Sequence, residues 1–128
     1  MKYLLDTHVI LWAAYEDERL SPRARKMIGL PENQIIVSAA SAWEIATKYR
    51  IGKLPDARDL AENFISAVTD AGYLLLPISV EHGLRAGRLP GEHRDPFDRM
   101  LCAQAIHEQF ILLSADAQLD SFGARREW

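Results

Sequence analysis

Four short apolar runs rich in branched side chains, "KYLL", "QIIV", "YLLLPI" and "FILL", recur along the chain, and longer segments of helical periodicity separate them. Strands joined through helices cannot pair as hairpins. A parallel neighbour needs a crossover connection, and crossover helices cover both faces of the sheet. The pattern therefore predicts an α/β fold with a central, mainly parallel sheet. Helix starts are marked by Ser21-Pro22, by Ser38 or Ser41, by Asp56 after Pro55, by Ser79 and by Asp95-Pro96, each an N-cap residue type at the head of a periodic segment. The tail "FGARREW" reads as an added edge strand. With no internal repeat, low-complexity tract or long linker, 128 residues are enough for one core and too few for two, so a single domain over 1–128 is expected. In such sheets ligands gather at the carboxyl ends of the strands.

Composition narrows the partners more than it names them. One cysteine, Cys102, excludes an internal disulfide and a cysteine-cluster metal site, and reads as a small buried apolar residue. Asp6 and His8 interrupt the first apolar segment, so neither a signal peptide nor a membrane span is expected and the protein is placed in the cytoplasm. A net charge of −3 gives no global attraction to nucleic acid, which leaves local patches. Lys48, Arg50 and Lys53 form one such patch, and Arg85, Arg88, Arg94 and Arg99 another. Solvated helix faces paired with Glu81, Glu92 and Glu108 explain the same residues equally well. The spacings of His8, His82, His93 and His107 match no zinc pattern, and the last three read as solvated surface. His8, two residues after Asp6, is left between orienting a water or phosphate and plain capping or packing. Trp12, Trp43 and Trp128 read as core or edge packing, with no base contact assigned.

Four acids occupy equivalent places. Asp6 follows the first run, Glu44 lies one or two turns into the helix after the second, Asp98 falls in the first turn after Asp95-Pro96, and Asp116 follows the last run. Each has a local explanation. Asp6 and Asp116 can cap, Glu44 can close a capping box with Ser41 and pair with Lys48, and Asp95 can be the N-cap of the helix that holds Asp98. At about 100° per residue, however, Asp98 shares a face with Leu101, Cys102 and Ala105, so its carboxylate points where the helix buries apolar surface. Carboxylates converging at strand ends raise one another's pKa, and a divalent cation relieves the conflict. Oxygen-only ligands suit Mg²⁺ or Mn²⁺, and the chemistry that follows is water attack on a phosphodiester.

The blocks "LLDTHVILW", "VSAASAWEIATKYRIGKL", "LPGEHRDPFDRMLCAQA" and "ILLSADAQL" resemble, in order and spacing, the PIN-domain ribonucleases, and among them the VapC-like toxins of toxin-antitoxin pairs. The resemblance covers nearly the whole chain. It implies a three-layer α/β/α fold, Mg²⁺- or Mn²⁺-dependent endoribonuclease activity on RNA, a homodimer, and a VapB-like antitoxin that covers the active site, with no membrane association. Position by position, Asp6, Glu44 and Asp98 match the family's acidic triad and Asp116 its more variable fourth acid, as catalytic and metal-holding residues. Ser114 stands where the family often has threonine, Thr7 follows the first acid as in many members, and His8 departs from the small polar residue common there. Asp95 belongs to a subgroup pattern whose role does not carry over. Two other readings compete. A phosphate-accepting receiver domain would have paired acids at the first strand and a lysine after the last, whereas Asp6 stands alone and the final lysine is Lys53. An inactive relative that only binds a partner is disfavoured by the intact set of four acids.

Overall fold

The computed structural model describes residues 1–128. The chain runs β1 (Lys2–Leu5), α1 (Thr7–Ala14), α2 (Pro22–Gly29), β2 (Gln34–Ser38), α3 (Ala39–Arg50), α4 (Arg58–Glu62), α5 (Phe64–Asp70), β3 (Leu74–Leu76), α6 (Val80–Arg88), α7 (Pro96–Glu108) and β4 (Ile111–Leu113). A 3-10 turn (Ala117–Phe122) and β5 (Arg126–Glu127) close it. The strands form one all-parallel sheet in the order β3-β2-β1-β4-β5, which bears out the crossover argument and the edge strand expected in the tail.

Period-two alternation along the strands builds two cores. Tyr3, Leu5, Ile35, Val37, Ile111 and Leu113 face one side, where they meet Val9, Ile10 and Ile45 of α1 and α3. Leu4, Ile36 and Leu112 face the other, against Leu101, Cys102 and Ala105 of α7 and Leu119 and Phe122 of the 3-10 turn. A strand buried on both faces needs a continuous apolar run, and that is why "QIIV" and "FILL" carry no polar alternation. The result is three layers, α/β/α.

Four of the expected helix starts hold. Ser21 accepts a hydrogen bond from the Ala24 N–H, with Pro22 in the first turn. Ser38 caps α3 by accepting from Ala40, Ser79 caps α6, and Asp95 caps α7. Asp56 does not cap. Its helix begins at Arg58, and the N-cap residue, Ala57, has no side chain to cap with. Ser41 is not a cap either, so the expected capping box with Glu44 is absent. Ser41 lies inside α3, fully buried, with its hydroxyl 2.9 Å from that of Thr7. The exchange is local in cause: Ser38 ends β2 with extended backbone, and the first free N–H groups of α3 lie within its reach and not within that of Ser41.

The sheet also fixes where a site can form. From β1 the chain builds outward to β2 and β3, then crosses back to place β4 on the other side of β1. The order reverses between β1 and β4, and helices leaving their carboxyl ends diverge to opposite faces and open a crevice there. Asp6 stands at the end of β1, its N–H donating to Leu113 O at 3.0 Å, and Ser114 ends β4 beside it.

Candidate active site

Asp6 is 3% exposed and held from two sides. Its Oδ1 accepts from the Thr7 N–H at 2.7 Å, as the N-cap of α1, and its Oδ2 accepts from the Ser114 hydroxyl at 2.6 Å. Ser114 Oγ in turn accepts from the Asp116 N–H at 3.0 Å, while Asp116 caps the 3-10 turn through Gln118 N–H. One buried hydroxyl thus ties the first and fourth acids together. From the sheet's other side, the Thr7–Ser41 hydroxyl contact ties α1 to α3, one turn before Glu44.

Glu44 is 5% exposed, an unusual burial for a carboxylate. Its Oε2 makes the expected ion pair with Lys48. Its Oε1 is buried and has no hydrogen-bond partner. Asp98 lies in the first turn of α7, its Oδ2 2.8 Å from His93 Nε2. Burial pushes the Asp98 carboxyl up to about 6, and the charges of Asp6 and Asp95 push the same way against the His93 hydrogen bond. Beneath the acids, the Cys102 thiol is driven up to about 12, by burial first and then by the charges of Asp6, Asp98 and Asp116. Cys102 is therefore the inert, fully buried residue the sequence implied.

The four acids expected from the sequence, Asp6, Glu44, Asp98 and Asp116, line one cavity of about 270 Å³, together with Asp95, Lys48 and His8. Asp95 serves as N-cap and also borders the cavity. Lys48 is the cation among them. Burial weighs against its charge, but the hydrogen bond and charge of Glu44, with the charges of Asp95 and Asp98, raise its pKa.

Of the three histidines read as solvated surface, His107 is exposed as expected, and His82 and His93 are not. His93 is not free surface, because it pairs with Asp98, whose hydrogen bond raises the histidine's pKa against a smaller effect of burial. His8 faces the site. Its Nε2 accepts from the Ala115 N–H at 3.1 Å, so the ring proton sits on Nδ1, 3.5 Å from Asp6 Oδ2. His82 is 2% exposed, on the inward face of α6. With His107 and Glu108 it forms a group whose ligand atoms lie within 4.8 Å of one another, away from the acid cavity. The hydrogen bonds set the wrong tautomer for a metal. His82 Nδ1 accepts from the Ser79 N–H, so Nε2 carries the proton and donates it to Glu108 at 2.9 Å.

Of the basic residues read as possible phosphate contacts, Arg99 is engaged elsewhere, donating to the carbonyls of Ala86, Leu89 and His93. Trp12 and Trp128 pack together at 5.8 Å, as expected, but Trp43 is 61% exposed and so is not a core residue.

A parallel sheet whose switch-point crevice is lined by five carboxylates, one of them with a buried unpartnered oxygen, defines an α/β protein with an acid-lined site at the carboxyl ends of its strands. The PIN domain family model matches residues 3–124, and the chain belongs to that family. It is 45% identical over 56 residues to ribonuclease VapC16 of Mycobacterium tuberculosis, a match that spans 44% of this chain and only 38% of that relative. Among solved structures it resembles VapBC2 from Rickettsia felis bound to a DNA fragment from its promoter (TM-score 0.72, 17% identity, 99% of this chain and 98% of that one). It also resembles FitAB bound to the IR36 DNA fragment (TM-score 0.68, 14% identity, 98% and 93%) and DNA-bound VapBC from Salmonella typhimurium (TM-score 0.66, 18% identity, 99% and 97%). At those identities the likeness is one of fold. No helix is long and apolar enough to cross a membrane.

Proposed function

We propose that residues 1–128 form one catalytic domain, a divalent-metal-dependent endoribonuclease that acts as the toxin of a toxin-antitoxin pair. The observation that carries the reading is Glu44 Oε1. A buried carboxylate oxygen without a donor is costly. It borders a cavity where Asp98 is already pushed up to about 6 by burial and like charge. Positive charge placed there would satisfy both at once. The all-oxygen donor set fits Mg²⁺ or Mn²⁺, with Asp6, Glu44 and Asp98 holding the ion and Asp116 as a fourth acid. When bound, such an ion acidifies water and offsets the charge on a phosphodiester.

The chain's own residues prepare the rest. Thr7 N–H and the Ser114 hydroxyl fix both oxygens of Asp6, so the first acid does not swing. Lys48 holds Glu44 Oε2 and leaves Oε1 free for a ligand. His93 Nε2 holds Asp98 Oδ2 and orients that carboxylate. Ser114 aligns Asp116 through its backbone N–H. Water, and not the ribose 2′-hydroxyl, attacks phosphorus. The bond to the 3′-oxygen breaks, leaving 5′-phosphate and 3′-hydroxyl ends.

The name of the mycobacterial relative supports RNA as substrate. The VapBC complexes among the structural neighbours support a VapB-like protein partner, and the proposal places the protein in the cytoplasm as a homodimer. Cleavage of single-stranded or looped RNA should vanish in EDTA and return with Mg²⁺ or Mn²⁺. Equal rates in EDTA, or cyclic-phosphate products, would reject the mechanism. Expressed alone, the protein should arrest growth, and the product of an adjacent short reading frame should relieve the arrest. Harmless expression and no binding of that product would remove the toxin assignment and leave the nuclease to stand on its own assay.

A further inference from the structure

Beside the acid cavity lies a second recess, of about 220 Å³, walled by Ala40 and Trp43 of α3, Gly87 of α6, and Phe97 and Met100 of α7. Its relation to the acids is written in the chain: Trp43 immediately precedes Glu44, and Phe97 immediately precedes Asp98. Consecutive helical side chains diverge by about 100°, so the same two helix segments present their carboxylates to one cavity and their rings to its neighbour. The rings meet edge to face, 4.8 Å between centroids.

Two features of the recess have no return within the chain. Trp43 is 61% exposed although it sits beside one of the most buried carboxylates in the molecule. Gly87 lies in α6, where glycine is a poor helix former, and a methyl group there would meet nothing within 4 Å. An alanine would fit the fold, but it would narrow the recess. The walls are otherwise apolar, and the Arg99 guanidinium at their margin is committed to three backbone carbonyls. The recess therefore offers ring faces and few hydrogen-bonding edges.

We propose that this recess is a nucleobase subsite, in which the base next to the scissile phosphate stacks against Trp43 and Phe97 while the phosphate lies over the acids. The inference rests on the nuclease reading of those acids. A base is tethered to its phosphate, so a phosphate seated at the acid cavity leaves its own base within reach of this recess. The other apolar wall near the acids, around Leu11, Trp12 and Leu54, is edged by Asp17, Arg19, Lys53 and Asp56, and the Trp12 ring there is covered by the Arg19 guanidinium, 5.0 Å from its centroid. An apolar slot reads ring faces, which every base has, so the subsite accepts any base provided that it is unpaired. Selectivity for single-stranded or looped RNA then follows from the stacking itself.

Short single-stranded RNAs carrying 2-aminopurine at each position in turn test this, with binding read by fluorescence in Ca²⁺ and cleavage by initial rates in Mg²⁺. The parent should quench one position next to the cleaved bond. Trp43→Ala should lose that quench and raise KM about tenfold or more, the size of one lost base–aromatic stack. Its kcat should fall by less, and its melting temperature should drop only by the loss of the edge-to-face contact with Phe97. Trp43→Phe should restore most of the binding, Gly87→Leu should fill the recess and raise KM likewise, and Ile65→Ala, which removes another exposed apolar side chain, should change nothing. Unchanged KM and quench in Trp43→Ala overturn the subsite. Unchanged RNA kinetics with a lost hold on the protein partner overturn it in favour of a protein anchor. A parent that shows Trp43-dependent quenching but no metal-dependent cleavage removes the nuclease, and with it a subsite defined by the cleaved bond, whereas metal-dependent cleavage without that quenching removes the subsite alone.

Discussion

Asp95 and Asp98 stand three residues apart at the head of one helix, and their hydrogen bonds divide their work. Asp95 Oδ1 accepts from the N–H groups of Phe97 and Asp98, at 2.9 and 3.1 Å, whereas Asp98 makes its side-chain bond to His93. Asp95→Ala should therefore cost about 1 kcal/mol of stability, the usual effect of a lost N-cap, and leave measurable cleavage. Asp98→Asn should abolish most cleavage and yet leave the metal-free protein at least as stable as the parent, because it removes a carboxyl already raised to about 6 by burial and by the charges of its neighbours. Denaturant melts and cleavage rates of the two variants check this. An Asp98→Asn protein that cleaves normally and loses only stability would make the residue a helix-start acid with no chemical part. The sequence carried this division, since a proline directly after Asp95 marks the cap and the apolar face marks Asp98. It did not carry His93. Nothing in "GEHRD" shows that the loop folds back to place that imidazole 2.8 Å from a carboxylate five residues on.

Helices α6 and α7 show what pattern reading reaches and where it stops. The strand runs and most caps were legible because strand alternation and N-cap chemistry act over a few residues. The burial of His82 was not, because it depends on which helix packs on which. Its ring closes a capping box with Ser79 and bonds Glu108 of α7, so a residue that looks solvated in an arginine-rich segment is one of the most buried side chains. Asp56 failed for the opposite reason, a good cap residue placed two positions before a helix that starts without one. Arg99 is the clearest case of a charge whose role only the fold reveals. Three of its nitrogens donate to carbonyls of Ala86, Leu89 and His93, and so pin the connection that brings His93 to Asp98 and Asp95 to the cavity. Lysine has no fork to reach three acceptors. Arg99→Lys should lose roughly 1–3 kcal/mol, through carbonyls left unpaired, and should slow cleavage more than Asp95→Ala does. Melting curves with parallel rates test it, and a fully active Arg99→Lys would show that the connection holds its shape without the clamp.

For the whole molecule, the acids set stability against ligand binding, and pH exposes the balance. The Asp98 carboxyl titrates near 6 when folded, against an ordinary value of 3.8. Between those values the folded chain binds more protons at this site than the unfolded one, so stability falls as pH rises through the window. The effect is complete above about pH 6 and amounts to at most about 3 kcal/mol, since each tenfold change in proton affinity is worth roughly 1.4 kcal/mol. Half-buried Asp17 and exposed Asp120 run the other way, their carboxyls held low by Arg19 and Arg126, and those pairs weaken as pH falls below about 4. Metal-free protein should therefore be most stable on the acid side of neutrality, between these two limits. A cation that needs Asp98 ionised must displace its proton, so the melting-temperature gain from Mg²⁺ should be small at pH 5 and grow to a plateau above pH 6 to 7. In Asp98→Asn both the acid-side stability of the metal-free protein and the pH dependence of the Mg²⁺ gain should flatten. Melting curves at pH 5 and pH 7.5, with and without Mg²⁺, decide the matter. An equal Mg²⁺ gain at the two pH values in the parent would mean that the ion, if held at all, is held away from Asp98.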